Sequence, residues 1–322
     1  MIPAAGGAAG SSSGGPTNVG GTTEPPDEGG APPMAHDRGR VQVRDGNLLT
    51  DKGTRLRGVT FGLDNNPAGL RFEPSLFAEL AAQTGLNTFH AYVENSTQET
   101  GAHVDEVDEL VESASEAGIY VILGPGGGPA GGSFNLEKLR SFWTFYAPRY
   151  AARTHVVYEV QNIPDTGCNV AYKPETLAME REIYGLIRGF APSTHVALLS
   201  FVAQPSGAVV EAALDALEGH VDWSKASVAF HGQPCSGQDN LHALVGVTRR
   251  RGIAALASEM TLPTSFEIIG QLEAERVGWL NFEWFVFNRD LSAFRTAHDT
   301  AGISWCPDFG KWPEDSETCS TP

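Results

Sequence analysis

From Leu56 onward the chain alternates short runs rich in Val, Ile and Phe with longer stretches of helical period, and this alternation narrows the possible folds more than any other feature. Short apolar runs bounded by turn residues mark buried strands, and apolar positions three and four apart mark amphipathic helices. The runs cover residues 56–62, 86–94, 119–124, 155–164, 195–202, 226–232, 253–260 and 279–287, eight in all. Between them lie PSLFAELAAQTG, HVDEVDELVESASEAG, NLEKLRSFWTFYAPRYAA, KPETLAMEREIYGLIRGFAP, PSGAVVEAALDAL, QDNLHALVGVTRRRG and TSFEIIGQLEAERVG, with SAFRTAHDTAG after the last strand. Several of these end in Gly, as helix C-caps do. Eight such units over roughly 250 residues predict a (β/α)8 barrel, the TIM barrel. A doubly wound open sheet is the alternative, and eight unbroken repeats favour closure. Ahead of the first unit, Asp45-Gly46 and Lys52-Gly53 punctuate VQVRDGNLLTDKGTRLRGVTFG as the turns of a short β-hairpin.

Residues 3–33 are almost wholly Gly, Ala, Ser, Thr and Pro, with Glu24, Asp27 and Glu28 among them. Such a stretch cannot bury enough apolar area to offset its ordering entropy. The expected organisation is a disordered linker over 1–38 followed by the barrel over 39–322. Linkers of this kind separate exported domains from a signal or another module, so a secreted or periplasmic protein is expected.

The 22 Lys and Arg stand against 39 Asp and Glu, a net charge of −17. That balance repels phosphate backbones and anionic lipid, which argues against nucleic-acid and membrane-surface partners. No apolar run approaches the roughly 20 residues of a membrane span. Cys168, Cys235, Cys306 and Cys319 lack C-x-x-C spacing and fall in segments that read as loops. Two disulfides, 168 with 235 and 306 with 319, are expected, with buried free thiols as the alternative. No His, Asp or Glu group has metal spacing, and neither metal nor cofactor is expected.

Barrel chemistry gathers at the C-terminal ends of strands. Those ends read Gly62-Leu63-Asp64, Tyr92-Val93-Glu94-Asn95, Gly124-Pro125, Asn162-Ile163-Pro164-Asp165, Ser200-Phe201, His231-Gly232, Ser258-Glu259 and Glu283-Trp284. Carboxylates, amides, an imidazole and an indole on one rim suit a sugar pocket. Each residue also has a plain reading. Glu259 would pair with a nearby base, Asn162 would bond a loop backbone, and His231 and His90 would be satisfied core histidines. Trp284 would pack the barrel top and Asp165 would be a solvated loop acid. The aromatic group Phe142, Trp143, Phe145 and Tyr146 is expected to pack against the barrel. The run GPGGGPAGG lacks the Gly-Lys-Ser/Thr ending of a phosphate loop and reads as a mobile loop over the pocket.

The pieces GNLLTDKGTRLRGV, GLNTFHAY, AGIYVIL, FWTFYAPRYAARTHVVYEVQNIP, VAFHGQP, ALASEM and NFEWFVF resemble the successive strands of a family 5 glycoside hydrolase, the cellulase family of clan A. The resemblance covers nearly all of residues 46–290. It implies an enzyme acting on oligo- or polysaccharide, expected as a monomer, with a retaining mechanism using two glutamates. One ends the seventh strand, here Glu259, the nucleophile position. The other belongs to an Asn-Glu-Pro triplet ending the fourth strand. By the same resemblance Asn162 binds the sugar 2-hydroxyl, His231 is the sixth-strand histidine and Trp284 floors the pocket. His90 and Glu94 are further candidate substrate contacts. The acid/base position falls on Ile163, and an isoleucine cannot protonate a leaving oxygen. Two further departures are Thr88-Phe89-His90, where the family carries an arginine, and Gly124-Pro125-Gly126, where it usually leads into a histidine. Asp165, two residues past Ile163, is the nearest substitute acid if the chain is extended there. Glu159 would then lie about 13 Å deeper, a structural residue. The resemblance thus leaves a β-glycan or glycoside hydrolase with an atypical site, or a non-catalytic glycan-binding descendant.

Overall fold

The computed structural model describes residues 38–63, 71–127, 135–165, 167–235, 240–260 and 265–281. Eight parallel strands close into a barrel in the circular order β10, β3, β4, β5, β6, β7, β8, β9. They are β3 (Arg57–Gly62), β4 (Thr88–Tyr92), β5 (Tyr120–Gly124), β6 (Val156–Glu159), β7 (His195–Phe201), β8 (Ala226–His231), β9 (Ala254–Glu259) and β10 (Gly278–Asn281). The helices are α1 (Pro74–Thr84), α2 (Val104–Ala117), α3 (Leu136–Arg149), α4 (Pro174–Phe190), α5 (Gly207–Leu217), α6 (Leu241–Arg250) and α7 (Ser265–Ala274). This is the expected (β/α)8 barrel.

Local chemistry sets the helix ends. Pro74 opens α1 where its missing N–H costs nothing, and Gly85 closes it in the left-handed region at φ 68°. Gly118 closes α2 in the same way. Asn135 caps α3 by accepting from Lys138 N at 2.8 Å. Gly58 on β3 is required by a close approach, since a Cβ there would meet Thr88 O at 1.8 Å.

The main apolar core is a sleeve between barrel and helices, running from Val59, Phe77 and Phe89 to Leu244, Ile269 and Trp279. Phe142, Trp143 and Tyr146 join it as expected, but Phe145 is 39% exposed and does not. A second cluster unites Leu56, Tyr120, Ile122, Val157, Leu256 and Leu280 with Val41 and Leu48 of the hairpin. That hairpin, β1 (Gln42–Arg44) and β2 (Asn47–Leu49), turns through Asp45 and Gly46 with φ of 50° and 71°, both positive as a two-residue turn needs. Arg38 anchors its entry by bonding Asp51 and Gly118 O, while Thr154 Oγ1 donates to Arg38 O.

Glu273 ties α7 to the first barrel strand. Its carboxylate takes Arg57 Nε and Arg55 Nη2, both at 2.7 Å, and Trp279 Nε1 at 2.6 Å. Burial pushes this carboxyl up, but Arg57, Arg55 and Trp279 outweigh it and hold it below the usual carboxylate range.

One expectation about the strands needs correction. The fourth run is a strand only over Val156–Glu159, not over 155–164, so the chain is no longer extended where the candidate site begins. The eighth is a strand over Gly278–Asn281, and the rest of 279–287 lies outside the described residues, as do Asp64, Glu283, Trp284, Cys306, Cys319 and SAFRTAHDTAG.

Candidate active site

The rim residues are built on two layers inside the barrel. In the lower layer His90 of β4 lies with Nε2 2.8 Å from Glu159 Oε2 and Nδ1 2.9 Å from Ser258 O. The two ring nitrogens thus lie against a carboxylate oxygen and a backbone carbonyl. Ser258 Oγ donates to Glu159 Oε1 at 2.8 Å, which closes the triangle. All three residues are fully buried. Burial pushes the Glu159 carboxyl up, but His90, the Ser258 hydroxyl and His231 outweigh it and hold it below the usual carboxylate range.

The upper layer holds Tyr92, Asn162, His231 and Glu259. Tyr92 OH donates to Glu259 Oε2 at 2.8 Å. His231 Nδ1 lies 3.7 Å from Glu259 Oε1, and its Nε2 lies 3.0 Å from Asn162 Oδ1. One imidazole therefore spans from the seventh-strand carboxylate to the fourth-strand amide. Glu259 reaches this layer through a bulge. Phe230 pairs with Ala257 but His231 pairs with Glu259, so Ser258 and Glu259 together oppose one residue of β8. Without the extra residue, alternation from Leu256 and Ser258 would turn Glu259 away from the cavity. Bulges re-aim side chains in this way beside active sites.

The other predicted residues fall elsewhere. His90 is fully buried beneath Glu259, where it supports the backbone of Ser258. Glu94 is also fully buried, and Oε1 accepts Tyr146 OH at 2.6 Å and Gly101 N at 2.7 Å. Its carboxylate faces α3 and the loop before α2 and pins both. Ile163 has φ 45°, a left-handed backbone that β-branched residues rarely take. That corner breaks the alternation that was expected to bring Asp165 onto the face of Ile163. Asp165 Oδ1 accepts Gly167 N at 3.3 Å. Glu159 lies in the layer just under Glu259's own neighbour. The depth expected for it assumed an extended strand running on to Ile163, whereas the strand ends at Glu159.

Tyr92 is the site residue that sequence reasoning passed over. It stands two positions past His90 at the end of a strand, and that parity was the available signal. Cys168 and Cys235 form the expected disulfide, with Cα atoms 5.7 Å apart, and join the segments that follow β6 and β8. These segments carry Asn162 and follow His231.

The structure is thus a TIM barrel in which a carboxylate, an amide and an imidazole converge at the C-terminal ends of the seventh, fourth and sixth strands. The family model for cellulase, glycosyl hydrolase family 5, matches residues 73–284, well over half of the chain, and the chain belongs to that family. Among solved structures it is similar to the cellulase Cel5C_n, at 17% identity and a TM-score of 0.57 over 76% of this chain and 81% of that one. The catalytic domain of a mannanase from Streptomyces sp. SirexAA-E matches at 15% identity and a TM-score of 0.57, over 77% and 81%. A hyperthermophilic endocellulase from the archaeon Pyrococcus horikoshii matches at 13% and 0.55, over 78% and 92%. At these identities the solved structures speak for the fold. The family implies a carbohydrate substrate, and fold and disulfide fit an extracellular protein. No described helix is long and apolar enough to cross a membrane.

Proposed function

We propose that the chain is a secreted glycosidase of β-linked glycans or glycosides in which Glu259 is the nucleophile. The observation that carries this reading is the grip on Glu259: Tyr92 bonds one carboxylate oxygen and His231 faces the other, so the group is aimed in one direction. By the family register Asn162, held by His231, takes the role of bonding a sugar 2-hydroxyl, and Trp284, outside the described residues, takes that of the pocket floor. Attack by Glu259 on the anomeric carbon forms a glycosyl-enzyme ester and expels the aglycone, and water then hydrolyses the ester.

The general acid is the altered part. On the family register its position is Ile163, and loss of such an acid costs on the order of 10² to 10⁴ in rate. The loss is smallest when the leaving group is itself acidic and needs no proton. This proposal therefore assigns the chain activated or phenolic glycosides as better substrates than plain glycans, with Asp165 as the nearby acid for the latter.

The test is hydrolysis of aryl β-glycosides with good leaving groups beside glucans, mannans and xylans, using wild type, Glu259→Ala, Asp165→Ala and Ile163→Glu. Activity on the activated glycosides that vanishes in Glu259→Ala supports the proposal. A further loss on glycans in Asp165→Ala assigns the acid, and a gain in Ile163→Glu identifies the lost position. Wild type inert on every substrate, yet raised in Tm by an oligosaccharide, supports the second reading, a glycan-binding protein without turnover. The apolar Ile163 at the acid position is what favours that reading.

A further inference from the structure

The ladder between β6 and β7 ends with Glu159 opposite Ala197, followed by one bond from Val160 N to Ala197 O. Beyond this point β7 bulges. Leu198 pairs with Val228 and Phe201 with Phe230, so three steps along β7 match two along β8. Leu199 and Ser200 inside the bulge have φ of 76° and 30°. A single side chain from outside the barrel bridges the two strands here. Glu180 of α4, fully buried, accepts Gln161 Nε2 at 2.8 Å through Oε1 and Leu199 N at 3.2 Å through Oε2. Tyr172 OH bonds Leu199 O and closes the same corner. One carboxylate thus ties the residue preceding Asn162 to the bulge in the neighbouring strand.

No cation bonds this carboxylate among the described residues. Burial pushes it up to about 7, Glu159 adds to the rise, and the bonds from Gln161 and Leu199 N only partly oppose it. Glu159 on β6 and Tyr172 ahead of α4 are the titratable groups that act on it or feel it. The charged residues beside it on α4 are engaged elsewhere, Arg181 with Ala216 O in the last turn of α5 and Glu182 with Arg140 of α3.

Gln161 supplies the second half of the device. Its Nε2 is used, but its Oε1 is buried without a partner. Turned by half a rotation, the amide would present Oε1 to Glu180, and that arrangement is satisfied only when Glu180 has a proton to donate. A buried amide with one end orphaned thus has two arrangements, one for each protonation state of its neighbour.

We infer that Glu180 is a positioning residue for the Asn162–Ile163 corner, and that proton uptake by its carboxyl reverses the Gln161 amide and moves the adjacent Asn162. The two arrangements differ in where the Asn162 amide meets a ligand. The consequence for glycan capture rests on the proposed function, whereas the coupling between Glu180 and the corner does not.

The experiment follows the δ1 methyl of Ile163 by carbon-13 NMR from roughly pH 5 to pH 9, spanning the neutral range in which a raised carboxyl titrates. The resonance is assigned by its loss in Ile163→Val. The expected result is a shift with its midpoint near 7 in wild type. It is absent in Glu180→Gln, and absent also in Gln161→Met, which leaves the Glu180 carboxyl in place should the first variant fold poorly. A flat resonance in wild type, or one that titrates unchanged in both variants, overturns the inference. In parallel, the Kd of a β-1,4-linked oligosaccharide should change at least about fivefold across neutrality in wild type, the low end for coupled sites, and stay level in Glu180→Gln. A Kd that changes equally in both proteins counts against the positioning role. A titrating Ile163 with no oligosaccharide bound at any pH leaves Glu180 in its role and removes its consequence for glycan capture, while the glycosidase reading is decided by the aryl β-glycoside assay.

Discussion

Tyr92 and Glu259 end different strands, β4 and β9, and meet through a 2.8 Å hydrogen bond from the phenol to Oε2. Hydrogen bonds to charged groups contribute about 1.5–3 kcal/mol. Tyr92→Phe keeps the ring and removes only the donor, so kcat/KM on an aryl β-glycoside should fall roughly 10- to 150-fold, at tenfold per 1.36 kcal/mol. Unchanged kinetics would show that Glu259 is aligned without it.

Glu273 is the shared partner of Arg55 and the fully buried Arg57. Removing one member of a buried pair costs about 3–5 kcal/mol because it strands the other charge. Glu273→Gln should therefore lower Tm by roughly ten degrees or more in calorimetry. The folded carboxyl lies below its ordinary 4.5, so its stabilisation is complete above that pH and is lost as pH falls through the folded value. The gap between variant and wild type should narrow on acidification, and a gap independent of pH would contradict this.

Two buried groups oppose each other in pH-dependent stability. His195, bonded to Ser227 Oγ at 3.0 Å, is pushed down to about 3 by burial, with Arg188 adding to the effect. Its contribution is present above 6.5 and lost as pH falls toward 3. Glu180, raised to about 7, contributes fully below 4.5 and loses that contribution as pH rises through 7. Between these windows each changes stability by about 1.4 kcal/mol per pH unit with opposite sign. Chemical denaturation from about pH 5 to pH 6.5 should show His195→Gln gaining stability on acidification relative to wild type, and Glu180→Gln losing it. Parallel curves for all three proteins would exclude the opposition.

The disulfide closes a loop with a sequence separation of 67 residues. Chain-entropy reasoning assigns such a crosslink about 4 kcal/mol. The double variant Cys168→Ser, Cys235→Ser should melt on the order of ten degrees lower, and kcat/KM should fall with it, since Asn162 and His231 lie next to the tied segments. A stable, fully active double variant would show that the hydrogen bond between them suffices.

The barrel was legible because burial on both faces makes each parallel strand a nearly continuous apolar run, and Gly85 and Gly118 announce helix ends. Glu259 was legible from its place at a strand end. What aims it inward was not, because the extra residue at Ser258 leaves no mark on composition or period. The corner at Ile163 was missed for a related reason. Strand alternation was carried past Glu159 into a segment that tertiary bonds from Glu180 and His231 had already bent. Glu94 was misplaced because strand-end position alone does not reveal a tyrosine waiting on α3, and Phe145 because helical spacing leaves one ring of four on the outer side.

Arg38 enters the fold at the N-terminal ends of the strands, beside Gly118 and Thr154, where Val41 and Leu48 cork the barrel. Anything joined upstream is therefore attached on the side remote from Glu259. An attachment made through Arg38 thus leaves the opening at Glu259 unobstructed, and altering it should change how the barrel is presented without altering what happens inside it.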